Sequence, residues 1–341
     1  MASALPLPPH VDLDRVGEVW RVDYAARFRD AVSWAGEHEL GPAAEDATRT
    51  CLLLVDAQNT FCTPGFELFV AGRSGTGAVE DSRRLCAFVY RNLGSITQIV
   101  ATMDTHQAFQ IFHAPFLVDA DGSHPDPFTL VTAEDVVAGR WKADPETAAA
   151  LGVDADLVVQ HLRRYVEELA QGGKYDLTIW PFHAMLGGIG HALVSEIEEA
   201  LFFHAIARRS QTRFELKGQS PLTEHYSVLG PEVEPTPRES RNTALVEHLL
   251  GFDAVVLAGQ AKSHCVAWTV ADLLADAPEI APRLYLLEDC SSPVVVPGAA
   301  DYTDAADAAF ARFADAGANV VHSTEPLDSW PGLPSSAPRP A

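Results

Sequence analysis

The sequence predicts an α/β protein: three αβα layers around a six-stranded parallel sheet, with a mostly helical insertion between the second and third strands. Three observations predict it. Six short apolar runs of strand length recur along the 341 residues. Segments with helical spacing of apolar residues separate them, and strands alternating with helices imply a parallel sheet covered on both faces. The hydrophobic content of 47% supplies a sizeable core.

The elements follow in order. Residues 1–12 are rich in Pro and Ala and read as a tail or surface strap. "DYAARFRDAVSWAGEHEL" (23–40) is amphipathic and predicts a helix. "CLLLVDAQ" (51–58) is an apolar run ending in polar residues, as a buried parallel strand requires. "DSRRLCAFVYRNL" (81–93) predicts a helix and "SITQIVATMD" (95–104) the second strand. The rhythm then breaks over 114–179. Loop-like "APFLVDADGSHPDPF" precedes a helical pattern at 154–173, and a stretch of this length suits a lid beside a site. A further helix is expected over 190–209. "TRFELKG" (212–218) is the third strand, "SRNTALVEHLLG" (240–251) a helix stopped by Gly, and "FDAVVLAG" (252–259) the fourth strand. "KSHCVAWTVADLLADA" (262–277) is a helix, "RLYLLEDC" (283–290) the fifth strand, 301–317 a helix and "ANVVHS" (318–323) the sixth strand. One domain is expected over 49–325 with the insertion inside it. An extension (1–48) precedes it and a tail (326–341) follows.

With 47 acidic against 24 basic residues the formal charge is −23, which disfavours nucleic acid or an anionic membrane as the main partner. The five cysteines are odd in number, widely spaced and without a CxxC pair, so neither a disulfide framework nor a zinc knuckle is expected. A reducing cytoplasm fits this usage. The first ten residues lack the basic and apolar regions of a signal peptide, and no apolar run reaches the roughly 18 residues of a membrane span.

Ligands of open parallel sheets bind at the carboxyl ends of the strands. Asp56 ends the first strand there, Asp104 and His106 the second and Lys217 the third, while Cys265 follows the fourth. Each has a bland reading: Asp56 as a turn cap, Lys217 as a solvated charge, Cys265 as a buried filler. The position of Cys265 at a helix start favours a nucleophile instead. Unpaired N–H groups there lower a thiol's pKa and can donate to an oxyanion. Asp56 would be its base and Lys217 its cation. Lys262 is a rival cation, expected to point to solvent. Asp104-x-His106 sets two metal-competent groups on one side of an extended segment.

Taken together, "LLLVDAQNTFC", "ATMDTHQAFQIFH", "WPFH", "FELKG" and "GQAKSHCV" resemble the isochorismatase-like cysteine hydrolases, and within them the nicotinamidase branch. The resemblance covers roughly residues 50–113 and 180–323. It implies that a small amide, heteroaromatic in the nicotinamidases, is hydrolysed to an acid and ammonia through a thioester on Cys265. Asp56 would be general base and Lys217 would stabilise the thiolate. A cis peptide between Gln260 and Ala261 would help aim the Ala261 and Cys265 N–H groups at the substrate oxygen. Phe61 and Trp180 would sandwich a flat ring. Asp104, His106 and His183 would hold one divalent ion, with His113 a candidate fourth ligand, a role that varies within the family; zinc, iron or manganese suits such a set. His124 has no motif behind it. Homo-oligomers are common in the family.

The chain departs from the pattern at "WPFHAMLGGIGH" and at "KGQSPLTEHYSVLG", where Glu224 and His225 replace small or aromatic residues. A larger or differently charged amide is therefore admitted. Other readings are a carbamoyl or ureido substrate, a metal-bound water as nucleophile with Cys265 incidental, and a non-catalytic scaffold.

Overall fold

The computed structural model describes residues 4–235 and 241–333. Its centre is a six-stranded sheet of β1 (Thr50–Val55), β2 (Gln98–Asp104), β3 (Arg213–Lys217), β4 (Ala254–Gly259), β5 (Leu284–Leu287) and β6 (Asn319–Val321). All neighbours pair in parallel and the spatial order is β6-β5-β4-β1-β2-β3. The chain winds outward from β1 in one direction as far as β3, then returns to start again with β4. The order reverses between β1 and β4, and the crevice beyond their carboxyl ends is the place such a sheet offers a ligand.

β1 is buried along its whole length. Leu52 and Leu54 face one layer, formed by α1 (Tyr24–Glu37), α2 (Gly77–Arg91) and α4 (Ser195–Arg208). Cys51, Leu53 and Val55 face the other, formed by α5 (Thr243–Leu250), α6 (Ala267–Asp276) and α7 (Thr303–Asp315). Period-two alternation thus feeds both cores from one apolar run. Each buried leucine contributes about 1.5–3 kcal/mol through its apolar area.

A third cluster of buried side chains, from Ile111 to Trp180 with Val233, has its own core separate from the sheet. It is organised by α3 (Ala155–Gln171), which Asp154 caps at Asp156 N and Leu157 N. Two short helices and two antiparallel ribbons complete it: Leu117–Val118 with Lys142–Ala143, and Leu130–Val131 with Leu177–Thr178. The ribbons were not foreseen, because two-residue strands carry no periodicity.

Two expected helices begin later than their sequence pattern. α4 starts at Ser195, not 190, because the segment before it is an irregular loop with Gly187 at φ 83°. Residues Lys262–Val266 form a wide π-helical turn before α6. Both chain ends act as straps. Leu5 N donates to Arg91 O, and Trp330 stacks on Phe88 and Tyr285. Of the C-terminal tail, 334–341 lies outside the described residues. Among the described residues no helix is long and apolar enough to cross a membrane.

Candidate active site

The reversal point of the sheet brings together three of the residues singled out in the sequence. Asp56 follows β1 in a left-handed conformation (φ 46°). Lys217 ends β3, and Cys265 lies in the π-helical turn after β4. Close approach of β1 and β4 needs Gly259: a Cβ there would sit 2.0 Å from Val55 O. The Lys217 ammonium lies 2.9 Å from Asp56 Oδ2, 3.0 Å from Asp104 Oδ1 and 3.5 Å from Cys265 Sγ, and donates to His225 O at 2.9 Å. Asp56 Oδ1 accepts from Thr102 Oγ1 at 2.5 Å, and Thr102 Oγ1 accepts from Asp56 N.

All three side chains are buried. Burial pulls the Lys217 ammonium toward neutrality, but the Asp104 and Asp56 carboxylates outweigh it and hold its pKa well above the usual value. Burial raises the Asp56 carboxyl, Lys217 lowers it and Asp104 raises it again, leaving it above the carboxylate range. Burial also pushes the Cys265 thiol well up. Lys217 opposes this, while the Asp56 and Asp104 charges and a hydrogen bond to Asp56 add to it. This corrects the expectation that a helix start would depress the thiol. The cleft is too dry and the adjacent carboxylates too close for the turn to prevail.

The peptide between Gln260 and Ala261 is cis, as expected. The Gln260 side chain is clamped: its Nε2 donates to Asp81 Oδ2 at 2.8 Å and its Oε1 accepts from Ser292 N. Asp81 was not foreseen, since a lone carboxylate in an amphipathic helix carries no signal. Lys262 does not point to solvent. It is buried, with its ammonium on Asp307 and Glu288 and over the Phe310 ring, away from the cleft.

Asp104, His106, His113 and His183 meet beside Lys217. The ligand nitrogens of His106, His113 and His183 lie within 4.8 Å of one another. Asp104 Oδ1 is 3.0 Å from His106 Nε2, and Asp104 Oδ2 is 3.7 Å from His183 Nε2. Burial favours the neutral acid, but His106 and Lys217 reverse that and hold Asp104 ionised below the usual range. The Nδ1 atoms of the three histidines face backbone carbonyls of His183, Gln107 and Pro181 at 3.2, 3.0 and 2.8 Å. Each Nδ1–H therefore has its acceptor, which leaves the Nε2 side of each ring toward the shared centre beside Asp104. Among the described residues His113 Nε2 is buried without a partner. Burial lowers His113 to about 4 and His183 well below the ordinary value, so both are neutral as ligands must be. The set fits a divalent ion. His124 is elsewhere, with Nδ1 on Leu117 O.

Between these groups lies one cleft, walled by Phe61 and Trp180 as the motifs implied, and by Leu68, Phe112 and Val294. Its polar lining beyond Asp104, His106, His183 and Cys265 is Glu224, His225, Tyr226 and His264. Glu224 accepts from Trp180 Nε1, Tyr226 OH and, from α3, Tyr165 OH. Burial lifts its pKa to about 7. The Tyr175 OH donates to Ser263 O, so the insertion touches the turn that carries Cys265. His264 was in plain view beside Cys265, but nothing in the sequence separated it from a core histidine.

No protein-family model matches the chain, and no curated protein matches it in sequence. Solved structures do. The yeast nicotinamidase Pnc1p bound to the inhibitor nicotinaldehyde superposes with a TM-score of 0.52 at 17% identity, covering 80% of this chain and 99% of its own. A nicotinamidase/pyrazinamidase from Acinetobacter baumanii gives 0.50 at 20% identity, covering 82% and 99%. Strand order, the two helical layers and these superpositions agree that the chain has the isochorismatase-like αβα fold.

Proposed function

We propose that the protein is a cysteine amidohydrolase of nicotinamidase type, cleaving a small aromatic primary amide to its acid and ammonia. One observation carries the reading: Lys217 Nζ bridges the Asp56 carboxylate and the Cys265 thiol in a buried cleft between two aromatic walls. A scaffold protein has no use for a lysine buried against two carboxylates and a thiol, which is costly to desolvate.

In the proposed reaction Asp56 takes the thiol proton as sulfur attacks the amide carbon. Lys217, beside both groups, stabilises the negative charge as it moves from Asp56 to sulfur. The Ala261 and Cys265 N–H groups receive the tetrahedral oxyanion. Asp56 returns the proton to the leaving nitrogen, and ammonia departs from the thioester. Asp56 then takes a proton from the water that hydrolyses the thioester, and Cys265 is regenerated. Phe61 and Trp180 hold the ring so that its amide faces sulfur. Asp104, His106, His113 and His183 would hold a divalent ion, most suitably zinc, whose chemistry is to orient a ring nitrogen or a water at the far end of the substrate.

The test is a panel of primary amides and carbamoyl compounds with ammonia detection, on the parent and on Cys265→Ala. Release from aromatic amides that vanishes in the variant supports the reading. Release that survives the variant but disappears with a chelator assigns the attack to a metal-bound water instead. Release from carbamoyl compounds alone moves the substrate class.

A further inference from the structure

The catalytic cleft has a neighbour. The cleft encloses about 40 Å³, and a second pocket of about 220 Å³ adjoins it. Leu68, Val70 and Val294 line both, so the two spaces share an apolar border. A single-ring amide lying between Phe61 and Trp180 makes no use of the larger space.

Three segments build the outer pocket. Phe66 and Phe69 come from the segment after β1, Val296 and Pro297 from the segment after β5, and Phe128 from the insertion. Phe66, Phe69, Phe128 and Val296 are only half-buried, which leaves apolar surface for a ligand to cover. Among the described residues of its lining only Glu67 is polar, and Glu67 Oε2 accepts from the Thr60 hydroxyl at 3.0 Å. The first segment is fixed in place: Leu68 N and Val70 N donate to Thr60 O and Phe61 O at 3.3 and 2.8 Å. It is thereby tied to the residue that walls the cleft.

Phe128 gives the insertion a part in this pocket. Its backbone is left-handed (φ 69°), where a bulky side chain is rare, and its N–H donates to Ile179 O. Its ring meets Trp180 edge-on, with centroids 6.1 Å apart. An unfavourable conformation of this kind persists only where the surroundings enforce it, and such positions gather at ligand sites. One side chain of the insertion thus touches the wall of the cleft and lines the pocket beyond it.

We propose that this pocket is a second subsite, and that the substrate is an aromatic primary amide carrying an apolar substituent, a short alkyl chain or a second ring, which crosses the border of Leu68, Val70 and Val294 while the amide lies at Cys265. Glu67 and the formal charge of −23 disfavour an anionic substituent. The inference rests on the amidohydrolase reading for where the amide lies, but the subsite is a matter of binding and not of the chemical step.

The experiment is therefore a binding measurement on catalytically silent protein. Benzamide, its meta- and para-butyl derivatives, and the para derivative whose chain ends in a carboxylate are titrated calorimetrically into metal-supplemented Cys265→Ala protein. At least one butyl compound is expected to bind about tenfold or more tightly than benzamide, because even part of the chain leaves water. The carboxylate compound should show no such gain. Val296→Trp, which fills the pocket, and Phe128→Ala, which removes one wall, should each shrink the butyl gain below about threefold. The gain is read as the ratio to benzamide within one protein, so a general loss of binding does not count as support. A gain that survives either folded variant, an equal gain for the carboxylate compound, no gain for either butyl isomer, or no binding of any compound overturns the inference. Ammonia released from benzamide by the intact protein, with no butyl gain, overturns the subsite and leaves the amidohydrolase reading standing. A butyl gain with no ammonia released from any of the four compounds overturns that reading, and the pocket stands as a binding site for apolar substituents.

Discussion

The ammonium of Lys217 lies 3.5 Å from the sulfur of Cys265, a contact between residues 48 apart in sequence, one ending β3 and the other in the turn after β4. Asp56 Oδ2 and Asp104 Oδ1 are also within 3.0 Å of that ammonium. One cation thus joins the groups proposed for bond cleavage to those proposed for the metal. It is also the charge that opposes burial in setting the thiol's proton affinity.

Reactivity should follow that contact. The other four cysteines are buried, and none lines the cleft. Cys51 is pushed up to about 12 by burial. We predict that iodoacetamide modifies Cys265 first at pH 7.5, read by peptide mapping. Lys217→Met should slow the reaction at least about tenfold by removing the charge that favours thiolate. Earlier labelling of Cys62 or Cys290 would count against the assignment.

Metal content should depend on His113 as much as on the three ligands that the motifs supplied first. Its unpartnered Nε2 and its neutral state give it no other evident role. Protein from metal-supplemented growth is predicted to hold about one equivalent of a divalent ion. His106→Ala, His183→Ala and His113→Ala should each lose most of it by elemental analysis. Full occupancy in His113→Ala would return that residue to a packing role.

Gly218 is predicted to be irreplaceable for the same reason. It sits at φ 79°, and a Cβ there would fall 2.7 Å from Asp104 Oδ1 and 2.8 Å from His106 Nε2. Both clashes are with proposed ligands. Gly218→Ala should lose bound metal and cost more than about 1 kcal/mol, since a left-handed position strains any Cβ. Parent-like metal content and melting temperature would refute this.

The residues that could be read from sequence are those tied to strand ends. Asp56, Asp104 and Lys217 each close an apolar run, so a parallel sheet delivers them to one rim whatever the loops do. His183, Phe61 and Trp180 needed the family motifs, because loops carry no period that would place them. Lys262 was misread: a lysine at a helix start says nothing of Asp307 and Glu288, which come from distant segments. The thiol's proton affinity was misread because position in a turn is local, whereas desolvation depends on every wall of the cleft. Asp81 was missed for a related reason: its place beside Gln260 is set by a distant segment that its own helix does not announce.

Glu196 offers a test of stability away from the cleft. It is the second residue of α4, 3% exposed, and neither carboxylate oxygen makes a well-formed hydrogen bond. Burial lifts its pKa from 4.5 to about 7, and the backbone N–H groups of Glu196 and Gly17 offset this only in part. Between pH 4.5 and 7 the folded protein therefore holds a proton that the unfolded chain has released. Raising the pH through that window favours unfolding, and above it the penalty stays constant. The full penalty is on the order of 3 kcal/mol. Glu196→Gln removes the titration while keeping the shape. Its melting temperature relative to the parent is predicted to rise steadily from pH 5 to pH 7.5 and then level off. A difference that is flat with pH, or that falls, would show that the Glu196 carboxyl ionises as easily in the folded protein as in the unfolded chain.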